Sequence, residues 1–272
     1  MAIEYPEAVI ISGQMRQVLP GRSIVEVVIP NLNSTAFRWG FSNLDKVNIS
    51  GEQIRQIRQH GDYLYVDMQT QALVFGDMIG KILYHAPGEK RPPKATILIE
   101  LDDEAAFSFN PSLYGYCSAK TPEEQALFHP HSWVEPLEEA FTPEYLARAL
   151  AEPERKIAKQ MNVFKVQYKA HGVGNGYWQE ILYLCGVHPQ RKAREITPAE
   201  IECLHAATRR VMAQALAQGG SAEEKDFFGS NGNYVRSMGG RLKGQPCQKC
   251  GTTIEGKSIL GANVYFCPLC QK

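Results

Sequence analysis

Long apolar runs are missing from this chain. None approaches the roughly 18 residues of a membrane span, so no transmembrane helix is expected. A secretory start is missing too. Met1-Ala2-Ile3-Glu4-Tyr5-Pro6-Glu7 has neither a basic opening nor an apolar stretch, and the chain reads as cytoplasmic. Cysteine is scarce: there are seven, an odd number, with four close together at the C-terminus. That pattern argues against a disulfide framework, and the scattered Cys117, Cys185 and Cys203 read as small buried apolar residues. Internal repeats and low-complexity stretches are absent. With 44% hydrophobic and 21% charged residues over 272 positions, what remains is a globular chain long enough for two domains.

Net charge is also missing, because 29 Lys/Arg balance 29 Asp/Glu. The distribution is uneven. Residues 1–154 carry a net −9, 155–194 a net +7, 195–224 a net −3 and 225–272 a net +5. Two basic blocks thus stand out against an acidic N-terminal half, and a nucleic-acid backbone is the partner they suit.

Short β-rich runs fill the first 115 residues: 24–29, 63–67, 72–75, 81–84 and 95–101, separated by Gly, Asp, Asn and Pro. Hairpin-length connections predict an antiparallel β-sandwich rather than a parallel sheet. A helix is predicted from Pro6 to Leu19, stopped by Pro20-Gly21. The polar stretch Thr121–Pro136 reads as a linker. Helices then follow: one opening at Thr142-Pro143-Glu144, a basic one over 154–170, one over Tyr177–Cys185, and a long one from Thr197-Pro198 to about Ala217. The expected organisation is α+β. It has a β-sandwich lobe at 1–120, a linker at 121–136, a helical domain at 137–225, and a loop with a metal ribbon at 226–272.

The C-terminus reads Cys247-Gln248-Lys249-Cys250, then sixteen residues, then Cys267-Pro268-Leu269-Cys270. This C-x2-C-x16-C-x2-C spacing predicts a zinc ribbon. Each pair can turn both sulfurs onto one ion, and the run Thr252–Phe266 would form a hairpin between them. Four thiolates close the tetrahedron and leave no position for water, so one structural Zn2+ is expected.

Together with the ribbon, Gly172-Val173-Gly174-Asn175-Gly176-Tyr177, Gly186-Val187-His188-Pro189 and Phe141-Thr142-Pro143-Glu144-Tyr145-Leu146 resemble the formamidopyrimidine-DNA glycosylase and endonuclease VIII family. The resemblance implies a β-sandwich lobe, a helix–two-turn–helix lobe and a zinc finger that hold damaged duplex DNA between them. It also implies a monomer working on the nucleoid. The glycine turn suits a phosphate, because glycines let the backbone approach and a helix N-terminus aims free N–H groups at an anion. Gly174 and Asn175 are candidate phosphate contacts, Asn175 otherwise serving as a plain N-cap. Lys165, Lys169, Arg155 and Arg241 join them as backbone-positioning cations.

In this family an N-terminal proline amine attacks the sugar and a neighbouring glutamate handles the proton. Ile3-Glu4-Tyr5-Pro6-Glu7 is similar to that start, with Glu4 at the glutamate, Pro6-Glu7 at the second pair, and Ile3 at the proline. If Met1 is removed, the free amine belongs to Ala2, the candidate nucleophile, usable near neutrality because an α-amine titrates near pH 8. Nearby Glu7 and burial would raise the Glu4 carboxyl toward working pH. Gly61-Asp62-Tyr63-Leu64 has an aspartate where the family has a DNA-contacting lysine, and Ala262 stands at its zinc-finger arginine. Met78 matches a wedge methionine, with core packing the alternative. Leu113 and Tyr114 stand at two further hole-filling positions.

Two readings follow. In one, the protein flips a base and cleaves its N-glycosidic bond with Glu4 as acid/base, using a water or the Ala2 amine. In the other it is a non-catalytic module for damaged or distorted DNA. Retention of Glu4 favours the first.

Overall fold

A computed structural model of the protein describes every residue except 1, 78, 113–114, 129–132, 152–162, 164–170 and 260. Met78, Leu113, Tyr114, Arg155, Lys165, Lys169 and most of the basic 154–170 run lie outside the described residues. Two compact units emerge: Met1–His131 with Leu216–Tyr234, and Ser132–Ala215 with Val235–Lys272.

The first unit opens with α1 (Tyr5–Val18) and β1 (Ile24–Val28), followed by the short α2 (Thr35–Arg38). Seven strands complete it: β2 (Gln56–His60), β3 (Tyr63–Asp67), β4 (Ala72–Gly76), β5 (Gly80–His85), β6 (Ile97–Leu101), β7 (Ala106–Pro111) and β8 (Tyr116–Lys120). With β1 they form two antiparallel four-stranded sheets, ordered β1-β6-β7-β5 and β2-β3-β4-β8. Alternation along each strand sends one set of side chains inward. Ile97, Ile99, Leu101, Phe107 and Phe109 from one sheet share a core with Leu64, Val66, Leu73, Phe75 and Cys117 from the other. Ala8, Ile11 and Met15, at helical spacing on α1, complete it.

Thr121–Pro136 is not an unstructured linker throughout, because α3 (Pro122–Phe128) occupies its first half. The cause is a reciprocal cap: Glu124 N–H donates to Thr121 Oγ1 at 3.3 Å, and Thr121 N–H to Glu124 Oε2 at 3.0 Å. Residues 216–234 likewise belong with the sandwich rather than with the helices. Phe227 accounts for this, being wholly buried in the sandwich core.

The second unit contains α4 (Pro143–Ala151), α5 (Asn175–Leu184), most of α6 (Pro198–Ala217), and the hairpin of β9 (Glu255–Ile259) and β10 (Ala262–Phe266). The Thr-Pro helix starts behave as their chemistry dictates. Thr142 Oγ1 accepts from Tyr145 N–H at 3.1 Å, and Thr197 and Glu200 form a reciprocal cap at 3.3 and 2.8 Å. α5 buries Tyr177, Trp178, Ile181 and Leu182, and Trp178 Nε1–H donates to the Val163 carbonyl at 3.0 Å.

Candidate active site and metal centre

The start of α1 gathers the acidic candidates. Glu4 is the N-cap, and its side chain accepts from the backbone of Glu7. Glu7 answers with two bonds. Its Oε2 accepts from Glu4 N–H at 3.3 Å, and its Oε1 accepts from Ser221 N–H at 3.0 Å. Both carboxylates are only 4% exposed, so Glu4 is no loose terminal residue. Pro6 sits in the first turn, where its missing N–H costs nothing. Ile3 points into the sandwich core and is 5% exposed.

A third carboxylate joins them that sequence reading did not single out. Glu224 Oε1 accepts from the Ala2 backbone nitrogen at 3.1 Å, and Glu224 is buried. It comes from the 218–234 loop, which also supplies Ser221. A small cavity here is lined by Glu7, Ile10, Gly220, Ser221, Glu224 and Asp226. Nothing in the residue string marks Glu224, because its partner lies 222 positions away.

Asp62 lies in the turn between β2 and β3. Tyr63 beside it donates its hydroxyl to Asp77 Oδ2 at 2.5 Å, and burial followed by that carboxylate push the phenol well above its usual range. Asp77, next to the position of Met78, holds a left-handed φ of 45°.

The remaining described candidates lie in the second unit. Gly174 is the N-cap of α5 with extended backbone, and Asn175 is its first helical residue and is exposed. Glycine at the cap has no side chain to offer, and Asn175 stands one position inside the helix. Helix N–H groups at such an end favour an anion. Arg241 is exposed, and its guanidinium donates to the Arg236 carbonyl. Buried Glu180 Oε1 accepts from both the N–H and the hydroxyl of Ser237, at 2.7 and 2.8 Å.

The four C-terminal cysteines converge, their sulfurs all lying within 4.8 Å of one another. Cys247 and Cys270 Sγ are 3.8 Å apart, and Cys250 and Cys267 Sγ are 3.5 Å apart. A tetrahedron of zinc–sulfur bonds near 2.3 Å has edges of about 3.8 Å, so the donor set fits Zn2+. Burial pushes the Cys247 thiol up. Hydrogen bonds from the Tyr183 hydroxyl and from the Lys249 and Cys250 backbone outweigh this and hold it at about 6. The hydrogen bond with Cys250, then burial and the other neighbouring sulfurs, push Cys270 up to about 12. Four thiols this close cannot all ionise without a cation among them. The ribbon docks on α5 as Lys249 Nζ donates to the Tyr183 and Leu184 carbonyls at 2.9 and 3.1 Å.

One expectation fails. Cys185 and Cys203 form a disulfide, with Cα atoms 5.8 Å apart. Cys185 caps the C-terminus of α5 and Cys203 lies in the second turn of α6, so the intervening turn folds them together. Cys117 is a buried free thiol, as expected, and burial raises its pKa well above its usual value.

Comparison with known proteins gives three family matches in chain order. The formamidopyrimidine-DNA glycosylase N-terminal domain matches residues 2–112, the formamidopyrimidine-DNA glycosylase H2TH domain residues 133–226, and the zinc finger found in FPG and IleRS residues 244–272. Formamidopyrimidine-DNA glycosylase of Bacillus cereus is 26% identical over 98% of both chains. That of Desulfitobacterium hafniense is 28% identical over 98% of this chain and 99% of its own. Among solved structures, a complex of Lactococcus lactis Fpg with DNA containing an abasic site is 20% identical, with a TM-score of 0.81 over 99% of both chains.

Proposed function

Because this chain belongs to the formamidopyrimidine-DNA glycosylase family, we propose that it is a base-excision repair protein that binds damaged duplex DNA, flips out a base and cleaves its N-glycosidic bond. The observation that carries the catalytic part is Glu4. It is buried, capped onto α1 and flanked by Glu7, an arrangement that a residue serving only as a solvated terminus does not need. In this reading Glu4 moves the proton, as general acid/base. Glu7 holds Glu4 in place, since both its oxygens already accept backbone N–H groups. The nucleophile is a water, or the Ala2 amine when Met1 is removed. Asn175, Gly174 and Arg241 take phosphates, together with Lys165 and Lys169. Met78, Leu113 and Tyr114 fill the space a flipped base leaves. Cys247, Cys250, Cys267 and Cys270 would hold one Zn2+, which ties the ribbon together when bound and takes no part in the reaction. The protein acts as a monomer on the nucleoid.

One observation favours a second reading, a non-catalytic module for damaged DNA. Ile3, at the family's nucleophile position, is committed to the apolar core. The test uses duplexes that each carry one oxidised, alkylated or deaminated base, with half of each sample developed in hot alkali and Glu4→Gln run alongside. Breaks that appear only after alkali and vanish in the variant mean a water-using glycosylase. Breaks without alkali mean a working amine. Binding without breaks on any substrate means the non-catalytic module.

A further inference from the structure

The 218–234 loop is tied to α1 by more than its contact with Glu7. Gln14, about two turns along α1 from Glu7, holds the loop tip with both ends of its amide. Its Nε2 donates to Asp226 Oδ2 at 2.8 Å, and its Oε1 accepts from Phe227 N–H at 2.8 Å. Asp226 spends its other oxygen inside the loop, accepting from Ser230 N–H at 2.8 Å. Phe227 then enters the sandwich core, with its ring centroid 5.6 Å from that of Tyr84, while Tyr84 N–H donates to the Phe227 carbonyl at 2.7 Å. At the base the loop closes on itself. Asn233 N–H reaches the Gln218 carbonyl and Tyr234 N–H the Gly220 carbonyl, both at 2.9 Å. Gly232 is required there, because a Cβ at that position would stand 2.1 Å from the Gly220 oxygen.

We propose that Gln14 is a positioning residue that latches this loop onto α1. By doing so it fixes the Ser221 N–H on Glu7 and the Glu224 carboxylate on the nitrogen of Ala2. The consequence for catalysis rests on the glycosylase reading; the latch itself does not. A loop pinned at its tip and closed at its base loses little freedom when a substrate arrives, so the acidic site is ordered before DNA binds. The polarity of the fork gives the proposal a reciprocal test. In Gln14→Glu a carboxylate faces Asp226, and the Nε2 donor is gone. In the double variant Gln14→Glu/Asp226→Asn every bond can re-form. The new asparagine amide donates to the new glutamate, whose other oxygen still accepts from Phe227 N–H. The asparagine oxygen accepts from Ser230 N–H.

Hydrogen exchange on the full-length protein reads the latch without needing activity. Gln14→Glu should speed exchange at Ser221, Phe227 and Ser230 by about tenfold or more, with β6 and β7 unchanged, and the double variant should return it to the wild-type rate. Single-turnover base release, normalised to affinity for an abasic-analogue duplex, should fall and recover in parallel. Unchanged loop exchange in Gln14→Glu would overturn the latch, as would a double variant as loose as the single one. Exchange that responds while wild-type base release stays intact in Gln14→Glu would overturn the positioning role. A wild-type protein that releases no base refutes the glycosylase reading instead, and exchange alone then decides the latch.

Discussion

Replacing Glu7 by glutamine keeps the side chain's shape and removes one acceptor. In the native protein both Glu7 oxygens are used by backbone donors, Glu4 N–H and Ser221 N–H, in a site only 4% exposed. Glutamine offers one oxygen and turns an NH2 toward the other donor, so one buried N–H loses its partner. A hydrogen bond to a charged group contributes about 1.5–3 kcal/mol, and the lost carboxylate at the helix N-terminus adds about 0.3–1 kcal/mol. The expected loss is about 2–4 kcal/mol. For a unit of this size that lowers the melting temperature by roughly 4–16 °C. Glu4→Gln is the matched control. Its glutamine keeps an oxygen for the Glu7 N–H, and the cost should stay below about 1 kcal/mol. Calorimetry on the two variants, with base release measured on the same preparations, separates the roles. Glu4→Gln should be stable and inactive, and Glu7→Gln unstable. Equal melting temperatures for the two variants would refute the bridging role given to Glu7.

Three further outcomes follow from the second unit. Stripping the ribbon with a thiol-competing chelator should unfold β9–β10, seen as lost near-ultraviolet signal from Tyr265 and Tyr183, with the signal restored by Zn2+; retention of that signal after complete metal removal would argue against a structural ion. Cys203→Ser should lower stability by about 3 kcal/mol, the value expected for opening a loop of this length, and added reductant should no longer shift the variant's melting temperature. Burial raises the Glu200 carboxyl, but hydrogen bonds from Arg191 and Thr197 outweigh burial and hold it below its usual value. A depressed folded value means that its contribution is present above about pH 4.3 and is lost as pH falls further. Arg191→Ala should therefore destabilise at neutral pH and cost progressively less below pH of about 4, as followed by urea unfolding.

Much of this architecture was legible because it is local. Val-Ile-Leu runs between turn residues named β1, β3, β4, β5 and β6, and the Thr142-Pro143-Glu144 and Thr197-Pro198-Ala199-Glu200 starts named α4 and α6. The cysteine spacing located the ribbon. β2 was missed because Gln56-Ile57-Arg58-Gln59-His60 is a polar edge strand with a single buried residue. Thr121-Pro122-Glu123-Glu124 carries the same start signature as the other helices, and reading it as linker discounted it. The site divides in the same way. Glu4 and Glu7 are visible as neighbours in the chain, whereas Glu224 and Gln14's partners are set by folding across more than 200 residues. The Cys185–Cys203 pair escaped because an odd cysteine count says nothing about two thiols that one turn brings face to face.

The return of residues 216–234 to the sandwich has a consequence for how the chain is made. Synthesis delivers both sheets and α1 by His131, but Phe227, a wholly buried member of their core, is still unmade. At roughly 5–20 residues per second the first unit waits about 5–20 s for its last core side chain. During that wait the nascent sandwich carries an unfilled hole beside Tyr84 and Phe107. A ribosome that stalls in α6 therefore releases an incomplete sandwich rather than a finished domain, open to proteases and holding chaperones. Supplying the 216–234 segment as a separate peptide should close it.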